Sequence, residues 1–207
     1  MIFDKQKISK RAQRLLDQPE FLLNSLDPID NLDKSFLLIL DENDKVLTAN
    51  HCFAKETSES HLLFAEVFCI MSRGKVLFEL WGLTFREFEN FLRDENHQPT
   101  FLEHTEELEM EFSKVRLALL ASGYSQKLKD LQLHFNDWSS LSLVLKNKMA
   151  QDLCQKLGWH LIYAEESVLT IESPFSWATN DELTYFVDEA LGGSLKKAAI
   201  KVVAVLG

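Results

Sequence analysis

Met71-Ser-Arg-Gly-Lys-Val-Leu-Phe-Glu-Leu-Trp-Gly-Leu-Thr-Phe-Arg-Glu-Phe-Glu-Asn-Phe-Leu92 reads as the end of one helix, a joint and the start of another. Upstream, Leu62, Leu63, Phe64, Val67, Phe68, Ile70 and Met71 cover most of a helical circumference. A helix apolar nearly all round is a buried one. Gly74 stands where its C-terminal cap requires positive φ, a conformation glycine adopts cheaply. Thr84-Phe-Arg-Glu87 then has the form of a capping box, with Leu83 and Phe88 at staple spacing. Phe85, Phe88 and Leu92 continue with helical period.

Working outward, residues 7–17 predict a short basic helix. Phe36–Leu40 and Lys45–Ala49, joined by Asp41-Glu-Asn-Asp44, predict a β-hairpin. After Asn96 and Pro99, Thr105 is expected to cap a helix to about Ser122. Its acids lead and its bases follow, matching the helix dipole. Leu108, Phe112, Val115 and Leu119 form its core stripe, and Gly123 is its expected stop.

Beyond Tyr124, Ser125–Lys129 reads as a polar link and Leu131–Phe135 as a strand. A helix over Leu141–Leu157 carries Leu141, Leu145, Met149 and Leu153 four apart, and Gly158 closes it. Trp159–Ala164 and Val168–Glu172 predict a second hairpin. Thr179-Asn-Asp-Glu182 starts a helix to Leu191, and a helical turn and a strand at Ile200–Val205 follow. The expected fold is α+β in two units. Residues 1–124 would hold a small antiparallel sheet packed on several helices, and residues 130–207 a β-α-β-β-α-β unit.

The 207-residue chain has a net charge of -10, which opposes binding to nucleic acid or anionic membrane. Three cysteines without close pairing suggest reduced thiols. The polar start carries no secretory pattern, and no apolar run reaches about 18 residues. The expected location is the cytoplasm.

Chemistry is sparse. Cys52, His61, Cys69, His97 and His104 are the candidate soft ligands, yet none forms a close metal-binding pair. Cys69, between Phe68 and Ile70, reads as a core residue. Cys52 beside His51 offers a thiol and a base, but neighbouring strand residues face opposite ways. The acidic run Glu103–Glu111 reads as a solvated helix start. Gly192-Gly193-Ser194 with Lys196 and Lys197 could cradle an anion, but a glycine cap is the simpler account. Trp177 reads either as a partner contact or as a plug of the second core. Nothing in these patterns calls for an enzyme.

Over residues 5–122 the order of elements resembles the NifU/IscU-type iron–sulfur cluster scaffold domain. Asp44-Lys-Val-Leu-Thr-Ala49 looks like its second strand, Gly74-Lys-Val-Leu-Phe-Glu79 its Gly-Lys joint, and Pro99-Thr-Phe-Leu-Glu-His104 its Pro-to-His segment. The resemblance implies an α+β scaffold working through protein partners. It also implies three cluster cysteines, near Asp30–Ser35, at Lys55–Ser58 and after His104; none of these places holds one. The expected protein is therefore scaffold-like and cluster-free, with no cofactor. Two alternatives stay open. One is a metal-binding or sulfur-handling protein that holds zinc or an iron–sulfur cluster through Cys52, His61 and His104. The other is an unrelated two-domain adaptor.

Overall fold

The computed structural model describes residues 8–23, 36–53, 58–94, 100–101, 106–172, 175 and 177–205. The chain is a mixed α+β protein that divides into two compact units, Met1–Leu119 and Leu120–Gly207.

The first unit opens with α1 (Lys10–Asp17), capped by Ser9. Strands β1 (Phe36–Leu40) and β2 (Val46–His51) form the expected antiparallel hairpin, registered from Phe36↔His51 to Leu40↔Val46. Phe36, Leu38, Val46, Ala49 and His51 are its buried residues. Helix α2 (Glu59–Ser72) packs on β2 and is buried almost all round, as its composition predicts.

Gly74 has φ +77°, and its amide donates to the Val46 carbonyl at 2.8 Å. The Val46 amide in turn donates to the Lys75 carbonyl at 2.9 Å. The joint after α2 is thereby stitched along β2. A single turn, α3 (Leu77–Leu80), leads to α4 (Phe85–Leu92). The Thr84 capping box forms: the Glu87 amide donates to Thr84 Oγ1 at 3.2 Å, and the Thr84 amide to Glu87 Oε2 at 2.8 Å.

Helix α5 (Glu106–Lys127) follows, and its expected cap, Thr105, lies outside the described residues. The predicted stripe of Leu108, Phe112, Val115 and Leu119 is buried. Phe68 lies 4.5 Å from Phe88 and 5.1 Å from Phe112, ring centre to ring centre. Phe64, Phe85 and Phe101 complete this aromatic core. Arg116 is buried and donates to the Leu83 carbonyl at 2.7 Å, tying α5 to the start of α4.

Two expectations fail at α5. Gly123 does not stop it, and Ser125–Lys127 is helix rather than link. An interior glycine costs only about 1 kcal/mol, and buried Leu119, Leu120, Ala121 and Tyr124 more than offset that. The division between units accordingly falls inside this helix.

The second unit continues with α6 (Lys129–Asn136), where a strand was expected at Leu131–Phe135. The alternation of Leu131, Leu133 and Phe135 fits a strand, but Leu128, Leu131 and Phe135 fit a helical face and are buried, with Leu133 left 72% exposed. A 3-10 turn at Trp138–Ser140 precedes α7 (Leu143–Leu157), and Trp138 stacks on Phe135 at 5.0 Å.

Gly158 closes α7 as predicted, at φ +73°. The predicted core stripe does not hold, however. The buried residues are Lys146, Ala150, Leu153, Cys154 and Leu157, and Leu145 is 45% exposed. A strict four-residue repeat drifts about 40° per step around a helix, so only its far end, Leu153, reaches the core.

Strands β3 (His160–Ala164) and β4 (Val168–Glu172) form the predicted hairpin. Thr179 caps α8 (Asn180–Ala190) through a second capping box. After α9 (Ser194–Lys197), β5 (Lys201–Val205) pairs parallel with β4, giving sheet order β3-β4-β5. Helix α8 packs against β5, where the Val202 amide donates to Thr184 Oγ1 at 2.9 Å. From α6 onward the unit is thus α-α-β-β-α-α-β, not β-α-β-β-α-β.

Candidate functional site

The most concentrated polar chemistry among the described residues lies at the end of β2. His51 and Glu66 are both fully buried, and His51 Nε2 meets Glu66 Oε1 at 2.8 Å. The same carboxylate accepts the Phe21 amide at 3.0 Å and the Glu20 amide at 2.9 Å. The His51 backbone pairs with this segment too: its amide donates to the Phe21 carbonyl at 3.0 Å, and the Leu23 amide donates to the His51 carbonyl at 2.8 Å. His51 Nδ1 is buried without a hydrogen-bond partner.

This is a clamp. One carboxylate neutralises two backbone donors and an imidazole that would otherwise be buried unsatisfied. It holds segment 20–23 against both β2 and α2. The His51 ring engages it through Nε2 alone, and with Nδ1 left without a partner the ring is not hydrogen-bonded to the Cys52 thiol. The pair escaped the sequence reading, although Glu66 left a trace as the lone acid among Leu62–Met71. A carboxylate at that place must be buried, and a buried carboxylate needs donors.

Cys52 follows β2 and is half-buried; burial pushes its thiol up. Burial, and then the neighbouring Glu66 carboxylate, push the Cys69 thiol up as well. Cys154, in the second unit, is pushed up to about 12 by burial. Burial thus raises all three thiols above their ordinary range.

His61 stands in the first turn of α2 with its ring edge-on to Phe53 at 4.8 Å. Desolvation lowers its pKa and outweighs the pull of Glu111; Lys114 acts with desolvation. Glu111 accepts hydrogen bonds from Ser60 Oγ and from Ser58 Oγ, the latter at 3.3 Å. Beside it, Glu107, Leu108, Met110, Glu111 and Lys114 line a shallow cleft of about 280 Å³. The acidic start of α5 is thus not wholly a solvated face, because Glu111 is drawn to the capped start of α2.

Cys52 follows β2 next to the clamp, and His61 opens α2, where Glu111 acts on it. His104 and His97 lie outside the described residues. Among the described residues, no three His, Cys, Asp or Glu side chains converge as a metal site would require. Elsewhere, Gly192 and Gly193 adopt positive φ as caps, and Trp177 is half-buried near Phe175. No helix among the described residues is long and apolar enough to cross a membrane.

The chain matches no protein-family model, no curated protein and no solved structure.

Proposed function

We propose that this is a non-catalytic, cytoplasmic protein that acts through contacts with other proteins. In this reading its first unit is similar to a NifU/IscU-type scaffold domain without the conventional cluster. What supports the reading is the fate of the reactive groups. His51 and Glu66 are joined in a buried clamp, and burial pushes all three thiols up. Apolar side chains, by contrast, remain at the surface of both units.

Anaerobic purification with iron, zinc and acid-labile sulfide analysis tests it. The expected protein is colourless, with metal well below one equivalent. Stoichiometric iron and sulfide would overturn it. A second reading, metal binding through Cys52, His61 and His104, has one observation in its favour: desolvation keeps the His61 imidazole neutral and ligand-competent. That reading requires stoichiometric metal that falls in both His61→Ala and Cys52→Ser.

A further inference from the structure

We propose that the outer face of the β1–β2 hairpin, extended by Val76, docks a partner segment whose apolar side chains are flanked by lysine or arginine. The inference rests on the contact-based function proposed above and names the surface and the partner's chemistry.

The argument begins with β1. Phe36-Leu-Leu-Ile-Leu40 contains no polar residue. A strand with one wet face ordinarily alternates apolar and polar, whereas a wholly apolar strand is covered on both sides. Here Phe36 and Leu38 are buried on the inner face, but Ile39 on the other is 52% exposed. The register explains how the face grows. Ile39 pairs with Thr48 and Leu40 with Val46, so Leu47 is the extra residue of a bulge. Val46 and Ala49 both remain buried, which turns Leu47 outward between them. Leu47 is 54% exposed.

The joint after α2 adds to this face. Val76 pairs with Lys45, which shares the strand parity of Leu47, and Val76 is 37% exposed. Ile39, Leu47 and Val76 are therefore neighbours on one open apolar surface.

Charge selects the occupant. The turn beside this face carries Asp41, Glu42 and Asp44, and Glu79 follows Val76, alongside Lys45 and Lys75. The whole chain is also acidic, at -10. A second copy would bring the same acidic turn and the same net charge against it. A segment with basic flanks meets the opposite sign, which favours both encounter and register.

The test is fluorescence anisotropy of three labelled peptides of equal length with the full chain. One has a Leu/Val core flanked by lysines, one the same core flanked by glutamates, and one a Ser/Asn core flanked by lysines. The first is expected to bind at least about ten-fold more tightly than either of the others, and to weaken as salt rises. Leu47→Asp is expected to weaken it about ten-fold, whereas Val144→Asp, on the exposed first turn of α7, leaves it unchanged. Ile39→Asp is the second variant should Leu47→Asp lose its far-ultraviolet dichroism. Absence of binding, equal binding of the lysine- and glutamate-flanked cores, or equal loss in Val144→Asp would overturn the proposal. A wild-type dimer in sedimentation that Leu47→Asp dissociates would overturn it in favour of a second copy. Metal content reads the cluster-free function independently of all these outcomes.

Discussion

Replacing Glu66 by glutamine tests whether the buried clamp carries the stability its geometry implies. The substitution keeps shape and volume but changes the donor–acceptor balance. The carboxylate accepts from His51 Nε2 and from the Glu20 and Phe21 amides, all within 3.0 Å at their shortest. Glutamine offers one carbonyl oxygen and an NH₂ that is itself a donor. At least one of the three donors then faces another donor at a site of 0% exposure. A hydrogen bond to a charged group contributes about 1.5–3 kcal/mol, and breaking a buried pair costs about 3–5 kcal/mol. Against a total of about 5–15 kcal/mol this is a large fraction. For a chain of this size it lowers the melting temperature by roughly 6–20 °C.

Calorimetry reads the global effect, and amide hydrogen exchange reads where it falls. Protection should collapse first at Glu20, Phe21 and Leu23, because those amides depend on the clamp. A double change, Glu66→Met with His51→Phe, should not recover the loss, because the Glu20 and Phe21 amides then have no acceptor at all. A melting temperature within about 2 °C of wild type, together with intact protection at Glu20 and Phe21, would refute this account of the clamp.

Three further outcomes follow from single residues. Gly74→Ala, at φ +77°, should destabilise by about 1–2 kcal/mol in urea unfolding, and Gly74→Asn by less, because asparagine tolerates the left-handed region. Cys154, with its pKa pushed up to about 12, stays protonated through the neutral range. In the native chain a thiol reagent at about pH 8 should therefore spare Cys154 and Cys69 and label the half-buried Cys52 first, as peptide mapping would show. For His61 the folded pKa lies below the unfolded value near 6.5. As pH falls through that value the unfolded chain takes up the proton first, so stability declines. His61→Asn should flatten that part of the denaturation profile between about pH 7 and pH 5.

The capping boxes at Thr84 and Thr179, the turns at Gly74 and Gly158 and both hairpins were legible because their chemistry is local. Each needs only a hydroxyl, a carboxylate three residues on, or a residue that tolerates positive φ. Where two local patterns competed, sequence alone chose badly. Leu131–Phe135 satisfies both periods, and the burial of Leu128, Leu131 and Phe135 together made it a helix. On α7 the leucines were plain, yet the inward face belongs to Lys146 and its neighbours. The Lys146 stem is buried, while its ammonium reaches Glu166 at 3.8 Å and lies 5.9 Å from the Trp138 ring.

The candidate site was less visible for the same reason. Cys52 and His61 could be found as residue types, but their reactivity depends on burial. The His51–Glu66 bond joins positions on a strand and a helix, and its other donors come from Glu20 and Phe21 far upstream. By itself, then, the sequence determined the α+β composition, the capping boxes at Thr84 and Thr179, the stops at Gly74 and Gly158 and the two hairpins, since these are written in short-range hydrogen bonding and backbone freedom. Only the tertiary structure decided which face of α7 is inside, that α5 runs through Gly123, and that a histidine and a glutamate become a clamp. Those outcomes depend on which distant groups share the space from which water is excluded.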